Sequence, residues 1–167
     1  MVMKKAIIYK SKYGATKQYA EWIAKELGCP IYEHSEIMSD ELSQFDLIIY
    51  GGSLFAGKIS GLSLIKKQPN VIVFTVGLSY DFPGHLEEVI KENSLKKRKV
   101  FYFRGALDEK KLSFSHKLGL KTLKVILKGK VERTDDEKVM LDAISQNSNY
   151  IDRDAIKPLV EYVKEKL

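Results

Sequence analysis

Three short stretches carry the residue types that could do chemistry. The first is Ser11-Lys12-Tyr13-Gly14-Ala15-Thr16. Ser11 and Thr16 offer hydroxyls that can donate to phosphate oxygens. Gly14 permits close backbone approach or a positive φ. The run before it, Ala6 to Tyr9, is apolar and β-prone. After it, Tyr19, Ala20, Ile23, Ala24 and Leu27 recur at helical spacing. The spacing predicts a strand, a tight loop and a helix N-terminus. Such a junction attracts anions, because the first-turn amides have no intrahelical partner and the helix dipole is positive there. The same residues would also serve as an ordinary cap and turn.

The second stretch is Gly51-Gly52-Ser53-Leu54-Phe55-Ala56-Gly57, after the apolar run Phe45 to Tyr50. Its glycines free the backbone, and Leu54 and Phe55 could cover a flat ring. Gly52, Gly57 and Lys58 approximate a nucleotide-hydrolase P-loop, but that motif needs Ser or Thr next and Ile59 stands there. The third stretch opens from the apolar run ending at Val76 into Gly77-Leu78-Ser79-Tyr80-Asp81-Phe82. Tyr80 is the expected ring-stacking residue and Phe82 its alternate; both could instead shield a sheet edge.

The elements that must position these stretches alternate between strand and helix. Strands are expected at 5–10, 30–35, 45–50, 71–76 and 100–103. Helices are expected at 16–27, 60–67, 86–94, 115–128 and about 154–167, with a helical turn at 40–45. Runs apolar on both faces indicate central parallel strands. The alternation predicts an α/β fold, a right-handed doubly wound sheet. If its five strands run in the order 2-1-3-4-5, with helices on both faces, all three stretches follow strand ends. They then converge on one rim, where such sheets bind ligands.

Ser11 to Thr16 resembles the flavodoxin phosphate loop, a hydroxyl residue, x, x, Gly, x, Thr. Tyr13 departs from the family's usual residue at its place. Tyr50 to Ser60 is similar to the second flavin loop of the flavodoxin-domain branch that includes menaquinone-dependent protoporphyrinogen oxidases. Phe103-Arg104-Gly105-Ala106-Leu107 also resembles that branch. The resemblance implies a flavodoxin-like fold and an FMN cofactor. Ser11, Lys12, Tyr13, Gly14, Ala15 and Thr16 would hold the phosphate. Gly52, Ser53, Leu54, Phe55, Ala56 and Gly57, with Val76, Gly77, Leu78 and Tyr80, would clamp the isoalloxazine. It further implies an oxidoreductase with a quinone and a porphyrinogen as partners. The alternatives are an electron carrier docking on a redox partner protein, or a noncatalytic FMN module. No side chain stands out as a catalytic acid or base, and no Cys/His spacing suggests a metal.

Length and composition fit this class. A chain of 167 residues, 44% hydrophobic and 30% charged, suits one domain spanning 1–167. Cys29 is the only cysteine, which excludes an intrachain disulfide. With no signal-peptide pattern at the N-terminus, a cytoplasmic location is expected, peripheral on the inner membrane face if the basic helix binds lipid. The net charge of +6 and pI of about 9.2 favour anionic partners, with no nucleic acid expected. Soluble carrier flavodoxins are typically acidic, so this balance weakens the carrier alternative. The four cations Lys96 to Lys99 are expected in a solvated loop.

Residues 108–153 form an extension beyond a minimal flavodoxin. In its helix, Lys117, Lys121, Lys124 and Lys128 fall within an arc of roughly 60°. Apolar residues cover most of the remaining surface. Such a helix either packs in the domain with snorkelling lysines, or touches a membrane surface or lines a greasy site. Gln146 to Asn149 is expected as loop.

Overall fold

The structure, a computed structural model, describes residues 2–167. Met1, the first residue of the expected domain, lies outside them. The central sheet is built from β1 (Lys5–Lys10), β2 (Ile31–Glu33), β3 (Leu47–Phe55), β5 (Val71–Gly77) and β6 (Lys99–Arg104), all parallel, in the order β2-β1-β3-β5-β6. The two-residue β4 (Lys58–Ile59) pairs antiparallel with β3. Setting that ribbon aside, the order is the expected 2-1-3-4-5. Helices α1 (Ala15–Leu27), α2 (His85–Glu92), α3 (Phe114–Gly129), α4 (Asp135–Ser145) and α5 (Lys157–Glu165) complete the chain.

The strands are apolar on both faces because both are covered. Ile7, Tyr9, Ile49, Phe74 and Phe103 pack on one side against Tyr19, Ala20 and Ile23 of α1 and Leu159 and Val163 of α5. Ile8, Ile48, Tyr50, Val73 and Val100 pack on the other against Leu42, Ile59, Ile65 and Val89. The alternation follows from the two-residue period of a strand. Gly28 ends α1 at φ 58, and its amide bonds back to the carbonyl of Ala24.

Four expectations need correction. The stretch after Tyr50 is strand, not loop: β3 runs on through Gly51 to Phe55. Its glycines serve packing. A Cβ on Gly51 would lie 2.1 Å from Phe74 Cζ, and one on Gly52 would lie 2.6 Å from both Ile59 Cγ2 and the Ser60 carbonyl oxygen. Ala56 (φ 48) and Gly57 (φ 76) then form a two-residue hairpin turn of the primed kind. Residues 60–67 hold only a 3₁₀ turn, Leu62–Ile65, because the hairpin takes the chain to Ile59 and Pro69 follows soon after. Gln146 to Asn149 is not all loop: β8 (Ser148–Asn149) pairs with β7 (Ala106–Leu107). Arg98 is not solvated: its Nη2 donates to the carbonyls of Ile65, Lys66 and Gln68.

The extension 108–153 builds a small core of its own. Leu120 and Leu127 of α3 meet Ile144 of α4 and Leu107 of β7. Helix α3 buries one narrow face only. Lys124 leaves the lysine stripe to pair with Glu109 at 2.7 Å. Thr134 and Glu137 cap α4 with reciprocal side-chain bonds.

Candidate functional site

A cavity of about 570 Å³ lies at the carboxyl ends of β1, β3 and β5, large enough for a cofactor-sized ligand. Its wall combines Lys10, Lys12 and Lys58, the hydroxyl residues Ser11, Thr16, Ser53 and Ser60, and an apolar slab including Leu54, Ile59, Val76, Leu78 and Leu107. No carboxylate lines it. The electrostatics therefore favour an anion at one side and a flat apolar body along the other.

The anion side is the loop between β1 and α1. Gly14 adopts φ 101, which favours glycine, and starts the helix without a side-chain cap. The first turn of α1 carries no acid, so its free amides are left for an outside acceptor. Ser11 Oγ accepts the Gly14 amide at 3.1 Å and keeps its own proton to donate. Thr16 is 2% exposed and faces the cavity.

The second wall is the β3–β4 hairpin, fixed from α2. Asn93 Oδ1 accepts the Ile59 amide at 2.9 Å, while its Nδ2 donates to the Gly57 carbonyl at 2.8 Å. Lys58 Nζ donates to the Glu92 carbonyl at 2.6 Å. The third wall, Val76 to Leu78, is held from β6. Arg104 donates to the Leu78 carbonyl, Tyr102 Oη donates to the Ser79 carbonyl at 2.6 Å, and the Gly105 amide donates to the Gly77 carbonyl at 2.7 Å. Burial pushes the Tyr102 phenol well up, so it stays protonated and keeps this bond.

Helix α3 closes the cavity. His116 and Leu120, four apart on one face of the helix, line it together with Leu112 from the extended backbone just before the helix. His116 stacks on Phe55, with ring centroids 4.1 Å apart and planes at 13°. Its Nδ1 lies 2.7 Å from Tyr13 Oη and its Nε2 lies 3.4 Å from Lys12 Nζ. An ammonium only donates, so Nε2 is the acceptor and Nδ1 carries the proton toward Tyr13. Tyr13 Oη in turn donates to Ser113 Oγ and accepts the Ser113 amide. Burial and then Lys12 push the His116 pKa below its ordinary value, which keeps the ring neutral near pH 7. For Tyr13, burial raises the phenol pKa, but the bonds from Ser113 and the Lys12 charge outweigh it and lower it overall.

Of the residues singled out from sequence, Ser11, Lys12, Tyr13, Ala15, Thr16, Ser53, Leu54, Phe55, Val76, Gly77 and Leu78 meet at this cavity. Gly14, Gly52, Ala56, Gly57 and Tyr80 do not line it. Gly14 shapes the turn from behind, Gly52 is packed inside β3, and Ala56 and Gly57 form the hairpin tip. Tyr80 turns away because its Oη donates to Asp136 Oδ1 of α4 at 2.6 Å. Phe82 packs between Tyr80 and His85. Sequence reasoning missed Leu112, His116 and Leu120. The reading that this helix lines a greasy site pointed at the element, but apolar residues around most of α3 hid which of them face the cavity, and Leu112 lies before the helix.

A doubly wound parallel sheet with a cradle at its switch point defines a flavodoxin-like α/β protein. The chain belongs to the flavodoxin domain family, whose model matches residues 6–134. Among solved structures, it is similar to a flavodoxin from the domain Archaea at 18% identity, covering 86% of this chain and 97% of that one, with a TM-score of 0.44. A flavoprotein in complex with FMN from Lactobacillus acidophilus is 16% identical over 62% of this chain and 93% of that one, with a TM-score of 0.42. Oxidised flavodoxin 2 from Bacillus cereus is 17% identical over 85% and 95%, with a TM-score of 0.42. No curated protein matches the chain.

Proposed function

We propose that the cavity holds FMN noncovalently and that the chain, as one domain, is an oxidoreductase resembling the quinone-dependent protoporphyrinogen oxidases. The observation that carries the cofactor is the uncapped N-terminus of α1, set beside Ser11 and Thr16 and opening onto an apolar slab. The free amides and hydroxyls would bind the phosphate, and Leu54, Val76 and Leu78 would flank the ring and exclude water. FMN supplies electron or hydride transfer when bound.

The wall from α3 supports an enzyme over a carrier. His116 and Leu120 of the helix, with Leu112 just before it, add an apolar side and one neutral imidazole to the cavity. Lys10, Lys12 and Lys58 give that space a positive rim suited to a porphyrinogen's carboxylates. Each electron pair leaving the porphyrinogen, with two protons, would end on one quinone, reduced to quinol, so the three pairs released in forming the porphyrin require three quinones. His116 is the group placed to hold or pass a proton there, through Nδ1 to Tyr13 Oη.

The test is anaerobic turnover of a porphyrinogen by the FMN-loaded protein with a quinone acceptor, read by porphyrin fluorescence. Porphyrin appearing only with both FMN and quinone is expected. A protein that retains FMN yet forms no porphyrin overturns the substrate assignment alone.

A further inference from the structure

We propose that the outward face of α3 docks on an anionic lipid surface. The helix walls the cavity on one side and stands open on the other. Phe114 is 83% exposed, Leu118 55% and Val125 66%. At 100° per residue these three fall within an arc of roughly 40°. Lys117, Lys121 and Lys128, all exposed, run along one border of that arc. The helix contains no Asp or Glu. Val131, just past its end, is fully exposed.

Charge selects the occupant. Residues 108–131 carry seven lysines against Asp108 and Glu109, a net +5 of the chain's +6. Glu109 is paired with Lys124 and Glu137 of α4 with Lys130, which leaves the exposed Glu132, beside Val131, as an acid against this lysine-rich segment. A second copy of the chain would bring two lysine borders face to face, which like charges oppose. A bilayer surface takes the apolar stripe into its headgroup boundary and the lysines onto anionic headgroups. The segment does not cross: among the described residues, no helix is long and apolar enough to span a membrane. The inference stands apart from the cofactor, because Phe114, Leu118 and Val125 lie outside the cavity lining.

The experiment is cosedimentation of the full chain with vesicles of equal phosphatidylcholine and phosphatidylglycerol, or of phosphatidylcholine alone, at physiological salt. Binding to the anionic vesicles and not to the neutral ones is expected. The triple variant Lys117→Glu, Lys121→Glu, Lys128→Glu should lose about a hundredfold in partitioning or more. The variant Phe114→Trp, read against the wild-type signal of Trp22, should shift its emission to the blue when anionic vesicles are added. Wild-type protein left in the supernatant overturns the proposal. So does equal binding to neutral vesicles, an unmoved emission in the Phe114→Trp variant, or a concentration-dependent dimer abolished by Phe114→Ser. FMN affinity read on the same samples keeps a failure here distinct from a failure of the cofactor.

Discussion

Thr16 sits almost wholly out of solvent at the first turn of α1, yet faces the cavity. A buried hydroxyl beside free amides is placed to donate to a charged oxygen. Thr16→Ala should weaken FMN binding by about 1.5–3 kcal/mol, the usual worth of a hydrogen bond to a charged group. Flavin fluorescence titration measures this, and unchanged affinity removes Thr16 from the site. His85 gives a different kind of prediction. Its ring is buried between Phe82 and Tyr102, and its Nδ1 has no partner within hydrogen-bonding distance, Asp81 Oδ1 standing 4.0 Å away. Burial lowers its pKa, and Asp81 only partly offsets this. The unfolded chain therefore binds the proton more readily than the fold does. The stability His85 contributes is full above its unfolded pKa of about 6.5 and is lost as pH falls through the lower folded value. Thermal melts from pH 7.5 to 5 should show a falling midpoint, and His85→Gln should flatten that slope. An equal slope in the variant contradicts the burial of a neutral ring.

Among the elements, the β3–β4 hairpin depends on a residue far from it in sequence. Asn93 satisfies the Ile59 amide and the Gly57 carbonyl together, so Asn93→Ala leaves two part-buried groups without partners. The cost should be about 1–3 kcal/mol for each group that water does not reach. A drop in urea midpoint at unchanged m-value would show it; an unaltered midpoint would mean the hairpin holds itself. This dependence explains what was legible in sequence. Ala6 to Leu27 could be read as strand, loop and helix because its apolar periods and Gly14 agree locally. Gly51 and Gly52 could not be read as strand, because glycine ordinarily marks a loop. Their reason is the Phe74 ring and the Ile59 side chain, contacts made across the sheet and the hairpin. The helix at 114–129 was legible from its period, but its buried face was not. Leu118 and Leu120 look alike in sequence, and only the placement of α4 and the cavity makes Leu120 the buried one.

Across the whole molecule, one topology assembles the cavity from strand ends and from the extension that follows β6. The parallel sheet gathers three strand ends at one rim, where the helix N-terminus and three lysines leave an electropositive cradle without a carboxylate. The extension after β6 supplies the fourth wall, fixed to the rim through Tyr13, Phe55 and His116. The alternation of elements pointed to a right-handed doubly wound sheet, whereas the order 2-1-3-4-5 was a condition that went with the flavodoxin resemblance and that the sheet meets. That the extension would fold back over the cavity rested on contacts between residues far apart in the chain, which no local pattern carries. Whether this cradle binds FMN is decided by titrating the purified chain with FMN and following the mixture by gel filtration. A complex of one FMN per chain, with quenched flavin fluorescence and a shifted absorbance band travelling with the protein, is the expected result. FMN eluting free, with its spectrum unchanged at micromolar protein, would contradict it.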